Sequence, residues 1–418
     1  MKQPKLRFKA DDGNQYPEWE EKRLEEVAVR ITRKNKDNCT DIPLTISSLD
    51  GLIDQRDFFN KIVASKDMSG YYLLKRGEFA YNKSYSKGFD FGSIKRLNLY
   101  DEGALSTLYI CFALNDNEDS DFYQKYFDSL SWHPELQKIC AEGARNHGLL
   151  NVSTNDFFHL KLHVPKSKEE QQEIASLFTE LDNLIQSAQK ELNGYRELKQ
   201  GMLQKMFPKK GKKVPEIRFL ADDGSQFPEW EEKKIDDIAT CFAGATPSTK
   251  IPEYWKDGTI RWMSSGEVNN GQIHDTEKRI SQLGFDKCST KMVKPNTVVM
   301  ALAGQGKTRG MVAITRIPLC TNQSLCAIET NDDICDDYLY QYLQIQYNNL
   351  RLISSGDGTR GGLNLKLIGG YIVSVPCLEE QKKIGEYFQN LDNLITSQQK
   401  ELDGYKELKK GLLQQMFC

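Results

Sequence analysis

The chain of 418 residues repeats two of its own segments, and this duplication restricts its possible folds more than any other feature. Residues 4–28 and 215–239 are identical at 15 of 25 positions, with a shift of 211. Residues 169–207 and 379–417 are identical at 25 of 39 positions, with a shift of 210. The intervening stretches, about 29–168 and 240–378, do not match each other. Near-equal shifts predict two similar halves related by an approximate two-fold axis.

The longer repeated segment has the apolar periodicity of one long helix, with apolar side chains at steps of three and four. Its 39 residues would span about 58 Å, and a helix of that length cannot bury its apolar stripe alone. The other copy is the obvious partner, so we expect an antiparallel coiled-coil pair. Residues expected in the helix pair or at a partner surface are Leu181, Leu184, Leu192, Tyr195, Leu198, Leu391, Leu394, Leu402, Tyr405 and Leu408.

Two glycines recur at equivalent positions of both helix copies. They are Gly194 and Gly201 in the first copy and Gly404 and Gly411 in the second. A glycine that is merely tolerated on a helix surface costs about 1 kcal/mol. Because both glycines recur, the sequence favours the alternative, a site where another helix approaches closely.

The stretches between the repeats have mixed α and β patterns, so the predicted fold class is α+β, with two mixed α/β domains joined by two long helices. The expected bounds are a first domain at 1–165, a helix at 166–207, a basic linker at 208–214, a second domain at 215–376 and a helix at 377–418. The linker contains four lysines, which either form a solvated hinge or touch phosphates. Strands are predicted at 77–81, 106–112, 160–165, 297–302, 311–315 and 371–376, and helices at 121–130 and 338–347.

Composition excludes several classes of protein. No apolar run is long enough for a membrane span, and the N-terminus has no apolar core of a secretory signal, so we expect a cytoplasmic protein. The ten cysteines form no C-x-x-C pair, so no metal site is expected. The five histidines form no nucleophile–base pattern, and neither a G-x-G-x-x-G loop nor the Pro-Pro-aromatic signature of amino-methyltransferases occurs. We therefore expect a chain without catalytic residues.

A glycine-rich segment in the second half has two interpretations. Gly306-Lys307-Thr308 follows a predicted strand, as in a phosphate-binding loop, but the required first glycine is replaced by Ala301. The segment after it also reads as a strand, whereas a phosphate loop opens a helix. We favour a β-hairpin whose tip carries Lys307, Thr308 and Arg309, which suits contact with a phosphate or a guanine edge.

Polar and basic residues also cluster in the first half. Asn, Arg and Lys side chains read adenine and guanine in the major groove, and Tyr and Ser often bind phosphates. Each such residue can equally belong to an ordinary solvated loop. The candidate DNA contacts of this kind are Lys75, Arg76, Asn82, Lys83, Ser84, Tyr85, Lys87, Arg145 and Asn146, with Arg360 at a similar place in the second half.

The chain resembles the specificity subunit of type I restriction–modification systems. In the second half, residues 244–250 (GATPSTK), 260–268 (IRWMSSGEV), 306–310 (GKTRG) and 362–365 (GLNL) are similar to motifs of that family's target-recognition domains. The resemblance adds Thr246, Ser248, Ser264 and Ser265 as candidate DNA contacts. The E-E-Q start and the internal Leu-Asp-Asn-Leu-Ile of both helices resemble the family's helical regions. The first half lacks the G-x-T-P-S opening, so its contact residues are less well defined.

This resemblance implies that the chain supplies sequence specificity and that other subunits perform the chemistry. Two modification subunits would bind the helix pair and methylate adenine with S-adenosylmethionine, and two restriction subunits would use ATP and Mg²⁺ to move and cut DNA. The chain itself would bind no cofactor. The two domains would each read one half of an asymmetric, interrupted double-stranded site, and the helices would set the gap. Competing hypotheses are a structural adaptor that binds proteins and an ATP-dependent enzyme built on the glycine loop.

Overall fold

The computed structural model describes residues 3–59, 65–140, 150–209, 211–304, 307–354 and 362–418. The chain forms two compact units, of which the first contains Met1–Gln189 and Glu401–Cys418 and the second contains Lys190–Lys400. Each unit thus holds one sequence block, the first part of its own long helix and the last part of the other long helix. Within the described ranges, no helix has both the length and the apolarity needed to cross a membrane.

The first unit is built around two four-stranded sheets. Its strands are β1 (Glu20–Arg23), β2 (Ala28–Arg30), β3 (Pro43–Ser47), β4 (Gly51–Asp54), β5 (Tyr72–Lys75), β6 (Phe79–Asn82), β7 (Ser93–Arg96), β8 (Glu102–Leu105), β9 (Ile110–Leu114) and β10 (Lys161–Val164). Its helices are α1 (Leu24–Val27), α2 (Gln55–Phe59), α3 (Ser120–Asp128), α4 (His133–Ile139), α5 (Thr154–Phe158) and the start of α6 (Lys168–Lys205). The sheet orders are β2-β9-β6-β7 and β4-β3-β8-β5, and β1 pairs with β10.

The second unit has a similar set of elements. Its strands are β11 (Glu231–Lys234), β12 (Ala239–Ala243), β13 (Ile260–Met263), β14 (Gln272–Ile273), β15 (Lys278–Ile280), β16 (Met292–Val293), β17 (Val298–Ala301), β18 (Val312–Thr315), β19 (Leu319–Thr321), β20 (Leu325–Thr330) and β21 (Ile372–Val375). Its helices are α7 (Ile235–Ile238), α8 (Gln282–Lys287), α9 (Asp336–Ile345), α10 (Tyr347–Ile353), α11 (Leu365–Gly369) and the start of α12 (Leu378–Met416). The sheet orders are β12-β20-β17-β18-β14 and β15-β13-β19-β16, and β11 pairs with β21.

The two units share one topology although their central sequences do not match. The order β2-β9-β6-β7 corresponds to β12-β20-β17-β18, and β4-β3-β8-β5 corresponds to β15-β13-β19-β16. Each unit also has a single parallel pair inside its second sheet, β3 with β8 and β13 with β19. The internal repeat therefore extends through the dissimilar blocks at the level of the fold, with β14 as an addition in the second unit.

The strands and helices predicted from the sequence are largely confirmed. Strands β6, β10, β17, β18 and β21 and helices α3 and α9 form within about two residues of the expected ranges, while β9 begins four residues after its expected start. Strands β17 and β18 pair antiparallel, as a hairpin requires. The phosphate-loop interpretation is wrong, because the element that follows the glycine-rich segment is a strand and not a helix.

Each unit contains an antiparallel pair of helix segments that is locked by an aspartate. In the first unit, Asp182 of α6 accepts hydrogen bonds from Lys409 of α12 (2.5 Å) and from Lys125 of α3 (2.6 Å). In the second unit, Asp392 of α12 accepts from Lys199 of α6 (2.6 Å) and from Gln341 (2.9 Å). Asp182 and Asp392 are equivalent positions of the repeat, as are Lys199 and Lys409. The same ion pair thus sets the helix register in both units.

The end of each helix completes the hydrophobic core of the unit that contains it. Phe417, which follows α12, packs against Trp19 and Phe178 in the first unit, with ring centroids 6.3 and 5.7 Å away. Phe207, which follows α6, packs against Trp230 and Phe388 in the second unit, at 6.0 and 5.9 Å. Residue numbers rise along one helix as they fall along its neighbour, so the antiparallel arrangement is confirmed within each unit.

The repeated N-terminal segment is anchored to the long helix by a buried carboxylate. Glu170 is fully buried and accepts two hydrogen bonds from Arg7 (2.8 Å each) and one from Trp19 Nε1 (3.2 Å). In the second unit, Glu380 makes the equivalent bonds with Arg218 and Trp230. A planar guanidinium matches the two carboxylate oxygens, which explains why Arg occupies both positions. The short repeat and the long repeat are therefore two parts of one structural unit.

The predicted apolar stripe is only partly buried. Leu181, Leu192, Leu391 and Leu402 are buried, and Tyr195 and Tyr405 are half-buried. Four leucines are instead between 45% and 50% exposed, so of the two predicted roles the helix pair does not account for them. They are Leu184, Leu198, Leu394 and Leu408. The apolar face of each helix is wider than the strip that its neighbour covers.

No helix of this chain among the described residues makes the predicted close approach at the helix glycines. A Cβ atom built at Gly194, Gly201, Gly404 or Gly411 would have no heavy atom of another part of the chain within 4 Å. All four glycines face open space, because they lie on a different side of the helix from the contact with the neighbouring helix. Within this chain, the absence of a side chain at these positions serves no packing purpose.

Candidate DNA interface

Strand direction brings several connections of the first unit to one end of its sheets. Tyr81, near the end of β6, pairs with Ile110 at the start of β9, and β3 runs parallel to β8. The connections β3–β4, β6–β7 and β8–β9 therefore leave the sheets at the same end. We call these connections, Ser48–Asp50, Lys83–Gly92 and Ser106–Tyr109, the first loop face.

The same argument defines a second loop face in the second unit. Ala301, at the end of β17, pairs with Leu325 at the start of β20, and β13 runs parallel to β19. Backbone hydrogen bonds join the loops, from Asn322 N to Met263 O (3.1 Å), from Ala245 N to Thr321 O (3.0 Å) and from Leu302 N to Ser324 O (2.8 Å). The second loop face comprises Gly244–Ser248, Ser264–Gly271, Leu302–Gly304, Lys307–Met311 and Asn322–Ser324.

The first loop face carries four of the nine contacts predicted for the first half, namely Lys83, Ser84, Tyr85 and Lys87, and Asn82 directly precedes it at the end of β6. Tyr85 and Lys87 are exposed, while Asn82 accepts a hydrogen bond from Ser84 N (2.9 Å) and shapes the turn. Lys83 is half-buried and donates to Val152 O (3.0 Å), and burial lowers the pKa of its ammonium group. Lys83 therefore holds the base of the loop, whereas the side chains of Tyr85 and Lys87 are exposed.

Lys75 and Arg76 do not join this cluster, which differs from the sequence-based expectation of one basic patch. Lys75 ends β5 and Arg76 begins the β5–β6 turn, and β6 separates both from Asn82, so they are at the opposite end of the sheet. Arg76 also binds Asp101 (2.9 Å). Arg145, Asn146 and Arg360 lie outside the described residues.

The second loop face explains the residue types of the G-x-T-P-S opening. A Cβ atom at Gly244 would lie 1.9 Å from Thr321 O, so only glycine fits beside β19. Trp262 Nε1 donates to Ala245 O (3.0 Å), and Trp255 Nε1 donates to Ser248 O (3.2 Å). These bonds pin the segment and leave Thr246 and Ser248 exposed. Thr246 donates to Gln323 of the neighbouring loop (2.5 Å).

The other predicted residues of the second half fall into two groups. Lys307 is exposed, and Ser265 and Thr308 are half-buried on the loop face. Ser264 caps the following 3₁₀ segment through Glu267 (Oγ to Oε2, 3.0 Å), so its hydroxyl already has a structural role. Arg309 is only 8% exposed, which differs from the expected position at the hairpin tip. The burial of Arg309 leaves Lys307 as the exposed cation of the pair.

Sequence patterns missed the β3–β4 and β19–β20 connections, which contribute Ser48, Leu49, Asn322 and Gln323 to the loop faces. No local motif marks them, and only the pairing of distant strands brings them beside the predicted loops. Among the described residues, no group of three or more His, Cys, Asp or Glu side chains could hold a metal ion.

The chain is similar to known proteins in sequence and in fold. The family model described as the type I restriction modification DNA specificity domain matches residues 16–194 and 228–404. The specificity subunit of the type I restriction enzyme MjaIX from Methanocaldococcus jannaschii is 30% identical over 48% of this chain and 47% of that protein. The EcoR124I/EcoR124II specificity subunit from Escherichia coli is 23% identical over 43% of this chain and 48% of that protein. The chain therefore matches about half the length of these two relatives.

Other relatives match the chain over nearly its whole length. The putative MjaX specificity subunit of Methanocaldococcus jannaschii is 23% identical over 97% of this chain and 94% of that protein. The crystal structure of a type I restriction–modification S subunit from M. genitalium covers 100% of this chain and 99% of its own, with a TM-score of 0.63 and 16% identity. A chain from a structural study of complex assembly in a type I system has a TM-score of 0.55 and 18% identity, with coverage of 96% and 98%. The protein thus belongs to the family of specificity subunits of type I restriction–modification systems, with one specificity domain in each half.

Proposed function

We propose that each loop face reads one half of an asymmetric, bipartite site in double-stranded DNA. The observation that carries this proposal is the contrast between fold and surface: the two units have the same topology, but their loop faces carry different side chains. One fold presented twice suits two ligands of the same class, and different side chains suit two different base sequences. The exposed hydroxyls and lysines of both faces, with the Gln323 amide of the second face, are the groups that bind phosphates and base edges.

Salt dependence gives the direct test of this interface. Replacing Lys87 or Lys307 by alanine removes one candidate phosphate contact, so duplex affinity should fall and the slope of log K against log salt should decrease by about one. The matched control is Lys294→Ala, because Lys294 is exposed in the turn before β17, at the end away from the second loop face. A structural adaptor that binds proteins would lack this steep slope. An unchanged slope in K87A and K307A, or a loss in K294A, would contradict the assigned faces.

We propose that modification subunits dock on the part of the surface that is repeated. In the first unit the exposed Leu184 and Leu408 lie within two residues of the Asp182–Lys409 ion pair, and Leu198 and Leu394 stand in the same way beside Lys199 and Asp392. A surface that occurs twice with the same residues fits a partner that binds in two copies. The two loop faces, in contrast, must carry different residues to read different half-sites. The exposed leucines and the neighbouring open glycines would receive an apolar helix of that partner.

Replacement of these exposed leucines by glutamate tests each of the two proposed docking sites on its own. Leu184→Glu with Leu408→Glu should remove one modification subunit, and Leu198→Glu with Leu394→Glu should remove the other, with little loss of fold stability because all four side chains are about half exposed. Mass measurement of the assembled complex by light scattering reports the number of bound subunits. Retention of both subunits by both double variants would place the docking site elsewhere.

We propose that catalysis resides in the partner subunits. S-adenosylmethionine would serve the modification subunits, and ATP and Mg²⁺ would serve two restriction subunits. This chain would contribute sequence recognition and no cofactor-binding residues. Titration of the purified chain with each nucleotide cofactor should give no saturable binding, and saturable ATP binding would instead favour an enzyme.

A further inference from the structure

The β3–β4 turn of the first unit carries a leucine that the turn does not need. Leu49 is 85% exposed, and no other large apolar side chain among the described residues is more exposed. The turn is closed by Ser47, whose hydroxyl donates to Asp50 (2.7 Å) and accepts from Asp50 N (3.1 Å), and by Gly51 with a φ of +91°. Turn tips usually carry Gly, Asn, Asp or Ser, because these residues favour the turn. Turn geometry therefore does not account for Leu49, and burial accounts for little of it.

This turn is the structural equivalent of a motif in the second unit. Ser47 ends β3, and Ser264 directly follows β13, the corresponding strand. Each serine bonds an acidic residue three positions later, Asp50 or Glu267. The pairs Ser48–Leu49 and Ser265–Gly266 therefore occupy matching positions. Ser265 was predicted as a DNA contact from motif similarity, and topology now indicates its counterpart in the first unit.

Hydrogen bonds join the turn to the loop that carries Tyr85 and Lys87. Ser48 Oγ lies 3.0 Å from Ser86 Oγ and 3.2 Å from Ser93 Oγ, so the turn and the β6–β7 connection form one surface. Exposed Tyr85 and Lys87 flank Ser86 in the sequence. Leu49 thus stands beside a hydroxyl and a cation of the kinds that bind phosphates.

We infer that Leu49 is a base-reading residue that contacts the C5-methyl group of a thymine in the major groove. The thymine methyl is the apolar feature that this groove presents, so an exposed leucine on a DNA-facing loop has one complementary group there. The matching position in the second unit is Gly266, which offers no such contact, so the preference belongs to one half-site only. This inference rests on the proposed function, because it requires that the first loop face binds DNA.

The test replaces single thymines by deoxyuridine, which removes only the methyl group. The full chain is assembled with its modification subunits, its site is determined by sequencing methylated DNA, and duplexes with one deoxyuridine at each thymine position are compared for affinity. The affinity of the wild-type complex should fall about fivefold when deoxyuridine replaces one particular thymine, which is the scale of a modest base-pair discrimination. The complex with Leu49→Ala should bind the normal duplex about fivefold more weakly and show no further loss at that position, as in a double-mutant cycle.

Leu99→Ala is the matched control. Leu99 is 61% exposed in the β7–β8 connection at the opposite end of the sheet, and its removal should leave every affinity unchanged. Thermal unfolding of both variants reports whether the fold is intact. Equal responses of wild type and L49A to every deoxyuridine overturn the inference and leave the proposed function standing. A wild-type complex with no sequence preference in either half overturns the proposed function itself.

Discussion

At the scale of single residues, the most constrained position is a buried carboxylate that occurs once in each unit. Glu170 and Glu380 each join an arginine and a tryptophan of the N-terminal segment to the start of a long helix. A buried charge without its partners is costly, so each member of the cluster depends on the others. This explains why residues separated by about 150 positions are repeated together.

Replacement of Glu170 by glutamine should destabilise the first unit by about 3 kcal/mol, because Arg7 would face a neutral amide in a buried site. Urea denaturation followed by tryptophan fluorescence measures the change. Glu169→Gln is the matched control, since Glu169 is exposed on the same helix turn. Equal midpoints for the two variants would show that the buried bonds contribute no net stability.

Substitution of the helix glycines should stabilise the chain, in contrast to substitution of Glu170. Gly194→Ala and Gly404→Ala add a methyl group where the chain leaves open space, so each should stabilise the isolated chain by about 0.5 to 1 kcal/mol. The change is read from the denaturation midpoint. If a partner helix docks at these glycines, the same variants should weaken assembly with the modification subunits. A destabilised isolated chain would mean that the glycines are packed after all.

At the scale of elements, the long helices are defined by their periodicity, but their register is set by one ion pair. Burial raises the pKa of Asp182, and the hydrogen bonds from Lys125 and Lys409 lower it by more, so the net shift is downward. The carboxylate is therefore more acidic in the folded chain than in the unfolded chain.

Because folding lowers the pKa of Asp182, the free energy of unfolding of the first unit should decrease at acidic pH. The contribution of Asp182 to stability is fully present above the pKa of an aspartate in the unfolded chain, about 4. This contribution is lost as the pH falls through the lower pKa of the folded chain. Asp182→Asn should lower stability at pH 7 and should show a smaller further loss between pH 5 and pH 2 than the wild type. Denaturation midpoints across this range measure the effect, with Glu180→Gln on the exposed side of the helix as the control. Parallel pH profiles for wild type and D182N would refute this role of the ion pair.

At the scale of the whole molecule, both long helices are shared between the two units. Each helix begins in one unit and ends in the core of the other, where Phe207 or Phe417 packs. Neither unit has a complete core from a contiguous part of the chain. Any change in helix length therefore involves both units.

Deletion of seven residues from each helix should shorten the recognised spacer. Seven residues are close to two helical turns and about 10.5 Å of helix, so the apolar stripe keeps its phase to within about 20°. The spacer should lose about three base pairs, as derived from the 3.4 Å rise of each strand. Sequencing of methylated DNA from cells that express the variant with its partners reads the spacer. An unchanged spacer would refute the idea that the helices set the gap.

The sequence alone determined the features that depend on nearby residues: the duplication, the helical periodicity, the β17–β18 hairpin and the motifs that resemble the specificity family. It could not reveal that the unlike blocks share a topology, because strand order depends on pairing between distant residues. For the same reason Lys75 and Arg76 were grouped with a loop at the other end of β6, and Leu49 was overlooked. The exposure of the helix glycines and of four leucines of the apolar stripe could not be predicted, because periodicity identifies an apolar face but not how much of it a neighbour covers. Only tertiary packing decides which of those side chains are buried and which remain available to a partner.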